Sequence, residues 1–299
     1  MVRKVVDSSF LESEALREYL AASSDNYAVV PDYVAMEAYK GDTLGQIYSR
    51  MAILGECPRQ VIVLKATQEI CNLSGRAAAS QTPLIDVDQT RGFPEYCQCL
   101  LDAQRGDVSL QKKLLENGRA ATAHIDRMVL DMKTLADVIE LMTKTYSAAE
   151  LKILRRSEKP TPEMQERLIQ RVCQLAQLFL ADHPRVTNWW SGSEMRDTFV
   201  FRYALCGYLS ILKRIEKGAA QNVKPEKLRN DVVDMNVVAS ATYFDGFLTT
   251  DKKAGAIYAA ARFLLREAFP MPPWRVRVVI ALLQGFRIVR DLLIRNDRT

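Results

Sequence analysis

The chain has 299 residues, enough for one large domain or two ordinary ones, and 48% of them are hydrophobic, so a sizeable core is available. The net charge of +5 permits a polyanionic partner without demanding one. Only two histidines occur, His124 and His183, which argues against a histidine-based zinc site or a paired-histidine nuclease.

From the amino terminus, Lys4 to Phe10 reads as a short strand with Asp7 at its carboxyl end. Ser8 and Ser9 offer hydroxyl caps to a helix over Leu11 to Ala22. After a polar turn, Tyr27 to Val30 is a second short apolar run. Asp32 can cap the helix that follows, whose face is Val34, Ala35, Ala38 and Tyr39 and which carries Glu37. Val61 to Leu64 is the most strand-like run of the first third, followed by Lys65 and a helix over about 66–79. Residues 81–93 are polar and turn-rich, with Pro83, Asp86, Asp88 and Gly92, and read as a boundary.

Helical periodicity then dominates. Leu110, Leu114, Leu115 and Gly118 share a face, as do Met128, Leu135, Val138, Ile139 and Met142. Thr161-Pro162-Glu163 is a helix start, and Trp189-Trp190 precede a capping region that opens a helix over 194–217. A basic connection at 224–230 leads into Asp231 to Ala254, which reads as a helix, an Asp245-Gly246 turn, a brief strand from Phe247 to Thr249, and Asp251 just beyond it. Residues 256–268 are helical, Pro270, Pro272 and Pro273 break that helix, and the last 26 residues form a basic amphipathic helix. The six cysteines are scattered, the close pair Cys97 and Cys99 lacks zinc-ribbon spacing, and all are expected to be reduced thiols. No apolar run approaches the roughly 18 residues of a membrane span. With no signal peptide apparent, a cytoplasmic protein is expected.

Strands alternating with helices at both ends imply an α/β fold with a parallel sheet covered on both faces. Asp7 and Asp251 would project from carboxyl ends of strands, where open α/β sheets gather ligands. Glu37 and Asp234 could converge on them from neighbouring helices, with Asp231 one helical turn before Asp234. Carboxylates gathered in one cleft repel unless a cation neutralises them. An all-oxygen set favours Mg2+ or Mn2+ over zinc, and such metals suit hydrolysis of a phosphodiester by activated water.

Four segments carry a resemblance: Val5-Val6-Asp7-Ser8-Ser9-Phe10-Leu11, Val30-Pro31-Asp32-Tyr33-Val34-Ala35-Met36-Glu37, Asp234-Met235-Asn236-Val237-Val238-Ala239-Ser240-Ala241 and Leu248-Thr249-Thr250-Asp251-Lys252. In this order they resemble the blocks of the PIN domain, a metal-dependent ribonuclease fold also found in bacterial toxins. The resemblance implies a PIN-like three-layer domain with Asp7, Glu37, Asp234 and Asp251 as catalytic metal ligands and Asp231 as a supporting one. It further implies Mg2+ or Mn2+ as cofactor, RNA or DNA as substrate, and products with a 5′-phosphate and a 3′-hydroxyl. Lys65, Lys252 and Lys253 are then candidates for nucleic-acid contacts, and Thr249 or Thr250 for positioning a ligand or water. A toxin, a defence effector or a housekeeping nuclease would all fit.

The expected organisation is a first half of the PIN-like domain at 1–92, an inserted all-helical subdomain at 93–222, and the second half at 223–299 ending in the basic helix. The helical insertion would cap the site or bind a protein or a second copy of the chain. A haloacid-dehalogenase-like phosphatase would need an Asp where Ser9 stands. The competing class is a non-catalytic nucleic-acid-binding or protein-interaction module on the same fold.

Overall fold

Four short strands, β1 (Val2–Val6), β2 (Asn26–Val30), β3 (Val61–Val63) and β4 (Gly246–Leu248), pair in parallel in the order β3-β2-β1-β4. They belong to a computed structural model that describes residues 1–41, 43–127, 140, 142–156, 158, 160–181, 192–217 and 224–267. The strands are rich in valine, whose branched side chain suits a pleated surface. Successive residues of a strand point to opposite faces. Ala28, Val29 and Val30 are nevertheless all buried, as are Val5 and Val6. The carboxyl half of the sheet is therefore covered on both faces, as a parallel sheet requires.

The helices are α1 (Glu14–Ala21), α2 (Asp32–Tyr39), α3 (Leu44–Glu56), α4 (Thr67–Cys71), α5 (Gly75–Ala79), α6 (Val87–Gln104) and α7 (Val108–Arg127). After them come α8 (Ala148–Arg155), α9 (Pro162–Ala181), α10 (Gly192–Asp197), α11 (Phe199–Glu216), α12 (Pro225–Ala241) and α13 (Lys252–Glu267). The mixed α/β class with a parallel sheet is as expected from the sequence. Several boundaries differ. β1 stops at Val6, a 3-10 turn spans Ser8–Phe10, and α1 begins only after Ser13, so Ser8 and Ser9 cap no α-helix. The helix expected over 66–79 is split into α4 and α5, and the one over 194–217 is split at Thr198, whose hydroxyl accepts from Phe201 N and caps α11.

The stretch 81–93 is mostly helical, with a 3-10 turn at Thr82–Leu84 and α6 from Val87. Asp86 caps α6 by accepting from Gln89 N at 2.9 Å, and the helix runs on through Gly92 and Pro94. The segment is also stitched to the sheet. Asp86 N donates to Val63 O at 2.9 Å, and Val63 N donates to Thr90 Oγ1 at 3.0 Å. Nor do the central helices build a core apart from the sheet. Leu100, Leu114, Val172, Phe201 and Tyr208 belong to the same buried cluster as Val5, Val29 and Ile62. A smaller cluster around Tyr146, Leu154, Met164 and Ile215 is tied to it by a 2.6 Å hydrogen bond between the Tyr146 and Tyr208 hydroxyls. α11 is the hinge of this arrangement, packing on α9, α12 and α13, while α12 packs on β1 and α2.

Among the described residues no helix is long and apolar enough to cross a membrane. The apolar face of Met128, Leu135, Val138 and Ile139, the Trp189-Trp190 pair, the proline break and the basic carboxyl-terminal helix lie outside the described residues.

A shared core has a measurable consequence. Leu205 on α11 is fully buried, and Leu205→Ala should cost about 2–5 kcal/mol. Far- and near-ultraviolet circular dichroism should report one cooperative transition, shifted as a whole. Two transitions, only one of them shifted, would mean that the helices fold apart from the sheet.

Candidate active site at the carboxyl ends of the strands

The site is built where the two ends of the chain meet. β1 pairs with β4 in the register Lys4↔Gly246, Val5↔Phe247, Val6↔Leu248. A side chain at Gly246 would press on Lys4, because a Cβ there would lie 2.9 Å from Lys4 Cγ. The start of the pairing is pinned by Asp245, which accepts from Arg3 N at 2.8 Å and whose own N–H donates to Arg3 O at 2.9 Å. The ladder continues past the strands with Asp7 N donating to Leu248 O at 2.9 Å. Asp7 and Thr249 are thereby placed beside each other at the strand ends.

Hydroxyls then tie the acids in place. Asp7, itself buried, accepts on one oxygen, Oδ2, from Ser9 Oγ at 2.6 Å and from Thr249 Oγ1 at 2.7 Å. Glu37 accepts from Ser8 Oγ at 2.6 Å. The two serines therefore serve the acids instead of a helix end. Behind Glu37, Arg50 donates to the carbonyls of Glu37 and Lys40 and so occupies the exposed end of α2. Asp251 caps α13, accepting on Oδ1 from Lys253 N at 2.6 Å and Ala254 N at 3.1 Å. Its own N–H donates to Thr249 Oγ1 at 3.0 Å, which joins the cap to the Asp7 network.

α12 brings two further acids, and they fare differently. Asp231 is fully engaged by cations: Arg214 Nε donates to Oδ2 at 2.6 Å and Lys253 Nζ to Oδ1 at 2.6 Å. Asp234, one turn later and half-buried, accepts no hydrogen bond among the described residues. Burial pushes its carboxyl up to about 7, and the charges of Asp7, Glu37, Asp231 and Asp251 push in the same direction. The other four acids read from the sequence therefore lie close enough to act on Asp234.

The three lysines are scattered. Lys253 is committed to Asp231. Lys252 is exposed at the first turn of α13, and Lys65 is half-exposed after β3, two strands from β1 in the sheet order. Sequence reasoning missed Arg214 and Arg50. Both act on groups 10 or more residues away, so no local spacing announces them.

The donors gathered here are all carboxylate or hydroxyl oxygens, the ligands of a hard divalent cation. Among the described residues, no three His, Cys, Asp or Glu side chains form a ready-made metal cage. The fit to a cation therefore rests on donor chemistry and on the uncompensated charge around Asp234. No family model, no curated protein and no solved structure matches the chain.

The state of Asp234 is open to titration. Its folded value lies above the roughly 3.9 of a free aspartate. The stability it lends is thus fully present below the free value and lost as pH rises through about 7. In EDTA, Asp234→Asn should melt higher than the parent at pH 8 and close to it at pH 4.5. An Asn variant less stable than the parent at pH 8 would contradict this assignment.

Proposed function

We propose that the protein is a Mg2+- or Mn2+-dependent nuclease with a PIN-like catalytic domain, acting on RNA phosphodiester bonds. The observation that carries this reading is Asp234. A half-buried carboxylate with no hydrogen-bond donor, facing four other acids, is costly unless positive charge joins it. The order of Asp7, Glu37, Asp234 and Asp251 along the chain supports the same reading, with Asp7 and Asp251 just past the carboxyl ends of parallel strands. RNA as substrate follows from the resemblance alone.

A divalent cation at this position would supply water activation and charge neutralisation of the phosphate. Asp7, Glu37, Asp234 and Asp251 would hold it. Ser9 and Thr249 fix Asp7 by occupying one of its oxygens, Oδ2, which leaves Oδ1 for a ligand. Asp251 likewise spends Oδ1 on the α13 cap and keeps Oδ2. Asp231, neutralised by Arg214 and Lys253, positions Lys253 instead of binding metal. No nucleophilic side chain is needed.

The second reading is a non-catalytic nucleic-acid-binding or protein-interaction module. It is favoured by the cap geometry, which gives Asp251 a structural role of its own.

A labelled single-stranded RNA and a DNA of the same sequence, each incubated with Mn2+ or EDTA, separate the two. Cleavage should require Mn2+ and fall about 100-fold or more in Asp7→Asn and Asp234→Asn. Mn2+ should also raise the melting temperature of the parent protein at pH 8 and leave that of Asp234→Asn unmoved. Full cleavage by both variants would overturn the site. Metal-independent binding without cleavage would favour the module.

A further inference from the structure

Lys253 is tied to two of the acids at once. Its backbone N–H donates to Asp251 Oδ1 at 2.6 Å, and its ammonium donates to Asp231 Oδ1 at 2.6 Å. One residue thus bridges the cap of α13 and the side of α12. Asp231 and Asp234 stand three residues apart on α12, so they are neighbours on the helix surface, with Cβ atoms about 5–6 Å apart. The charges of Asp231 and Asp251 both act on Asp234. The ammonium is therefore anchored at the border of the acidic cluster.

A salt bridge alone does not account for this lysine. Asp231 already has a cation in Arg214, whose Nε donates to Oδ2 at 2.6 Å. Two cations on one carboxylate leave a surplus of one positive charge. An ammonium has three N–H groups. Asp231 takes one of them, and the others have no partner among the described residues. They are also within reach of solvent. The side chain is 21% exposed, and a packed lysine keeps its charged head at the wet end of its stem.

A surplus cation with spare donors, bordering a set of oxygen ligands for a divalent ion, suits the place where charge builds on a phosphate. We propose that Lys253 binds a non-bridging oxygen of the substrate phosphate held at the acidic cluster, and that Asp231, backed by Arg214, is the positioning residue that aims it. The proposal rests on the nuclease reading for its choice of anion. Lysine is a point charge on a flexible stem. The contact with Asp231 removes that freedom before the substrate arrives, which is how positioning lowers a barrier. Lys252, exposed and with no carboxylate partner among the described residues, has no such aim.

The experiment measures binding of a labelled single-stranded RNA to the full chain in Ca2+ at several salt concentrations, beside cleavage in Mn2+. Ca2+ takes the same oxygen donors, and a gel checks that the RNA stays intact. Lys253→Met keeps the apolar stem and leaves Asp231 paired with Arg214, so the melting temperature should change little. The slope of log affinity against log salt should become shallower by about 0.7, the loss of one phosphate contact on a single strand. Cleavage should slow about tenfold or more, and Lys253→Arg should recover most of both. Asp231→Asn should slow cleavage too, and should add nothing to Lys253→Met. An unchanged slope in Lys253→Met overturns the proposal, as do additive effects of the two substitutions. A purely structural bridge would lower the melting temperature and leave the slope alone. A lysine that only stands in for the metal would also leave the slope alone, while its removal enlarged the melting shift given by Mn2+. No binding by the parent at the lowest salt overturns the proposal as well. The two readings fail separately: a shallower slope with no cleavage in Mn2+ sinks the nuclease alone, and Mn2+-dependent cleavage unchanged in Lys253→Met sinks the phosphate contact alone.

Discussion

The structure depends on the pairing of β1 with β4. β4 is three residues long, and its neighbours in sequence are helices. Without β1 beside it, Asp251 and Thr249 would have no fixed relation to Asp7. The pairing is secured at one end by Asp245 on the Arg3 backbone and at the other by Thr249 on the Asp7 carboxylate. Between them, the register leaves glycine opposite Lys4, where a larger residue would press on the lysine stem. Strand order does the remaining placement. β2 lies on one flank of β1 and β4 on the other, so α2 and α12 approach the same strand end from the two elements that border it.

Around that point the chain deals with five acids in three ways. Asp7 and Glu37 are held by hydroxyls, which satisfy an oxygen without cancelling its charge. Asp251 is satisfied by the amides of α13, whose amino-terminal end favours negative charge. Asp231 alone is neutralised by side-chain cations, Arg214 and Lys253. The charge of the other acids therefore falls on Asp234, the one of the five with no donor among the described residues, and pushes its carboxyl up. A fold selected for stability alone would gain by placing a neutral residue there. On the proposed reading, the carboxylate is kept at that position to bind a cation.

Much of this was legible in the sequence, but unevenly. The valine runs of β1, β2 and β3, the helices carrying Glu37 and Asp234, and the short strand before Asp251 follow from periodicity and turn residues. So does the candidate set of acids, because strand ends and helix starts can be placed to within a few residues. What failed was punctuation. Residues 81–93 read as turn-rich, yet α6 starts at Val87 and passes through Gly92, because the Asp86 cap and the Thr90 contact with Val63 anchor the helix to the sheet. Ser8 and Ser9 read as caps, yet a 3-10 turn turns their hydroxyls toward acids that are distant in sequence or lie behind them. The long helical stretch read as an insertion because its pattern carries no sign of where its apolar faces go. Burial puts Leu100, Leu114, Val172 and Tyr208 in one cluster with the strands, and Tyr146, Leu154 and Met164 in a smaller one. The role of Arg214 depends on α11 packing on α12, which no single stretch encodes.

The separation of the acids along the chain has a consequence for synthesis. The contact from Thr249 to Asp7 spans 242 residues, and chains emerge from the ribosome amino terminus first. Asp7 and Glu37 are therefore exposed to the cell long before α12 and β4 exist. On the proposed reading, a nascent chain carries half of a cutting site while it is still attached to the messenger and ribosomal RNA that it could damage. The site closes only after Asp251 has been made and β4 has found β1, so the long-range pairing that shapes the candidate site also delays it.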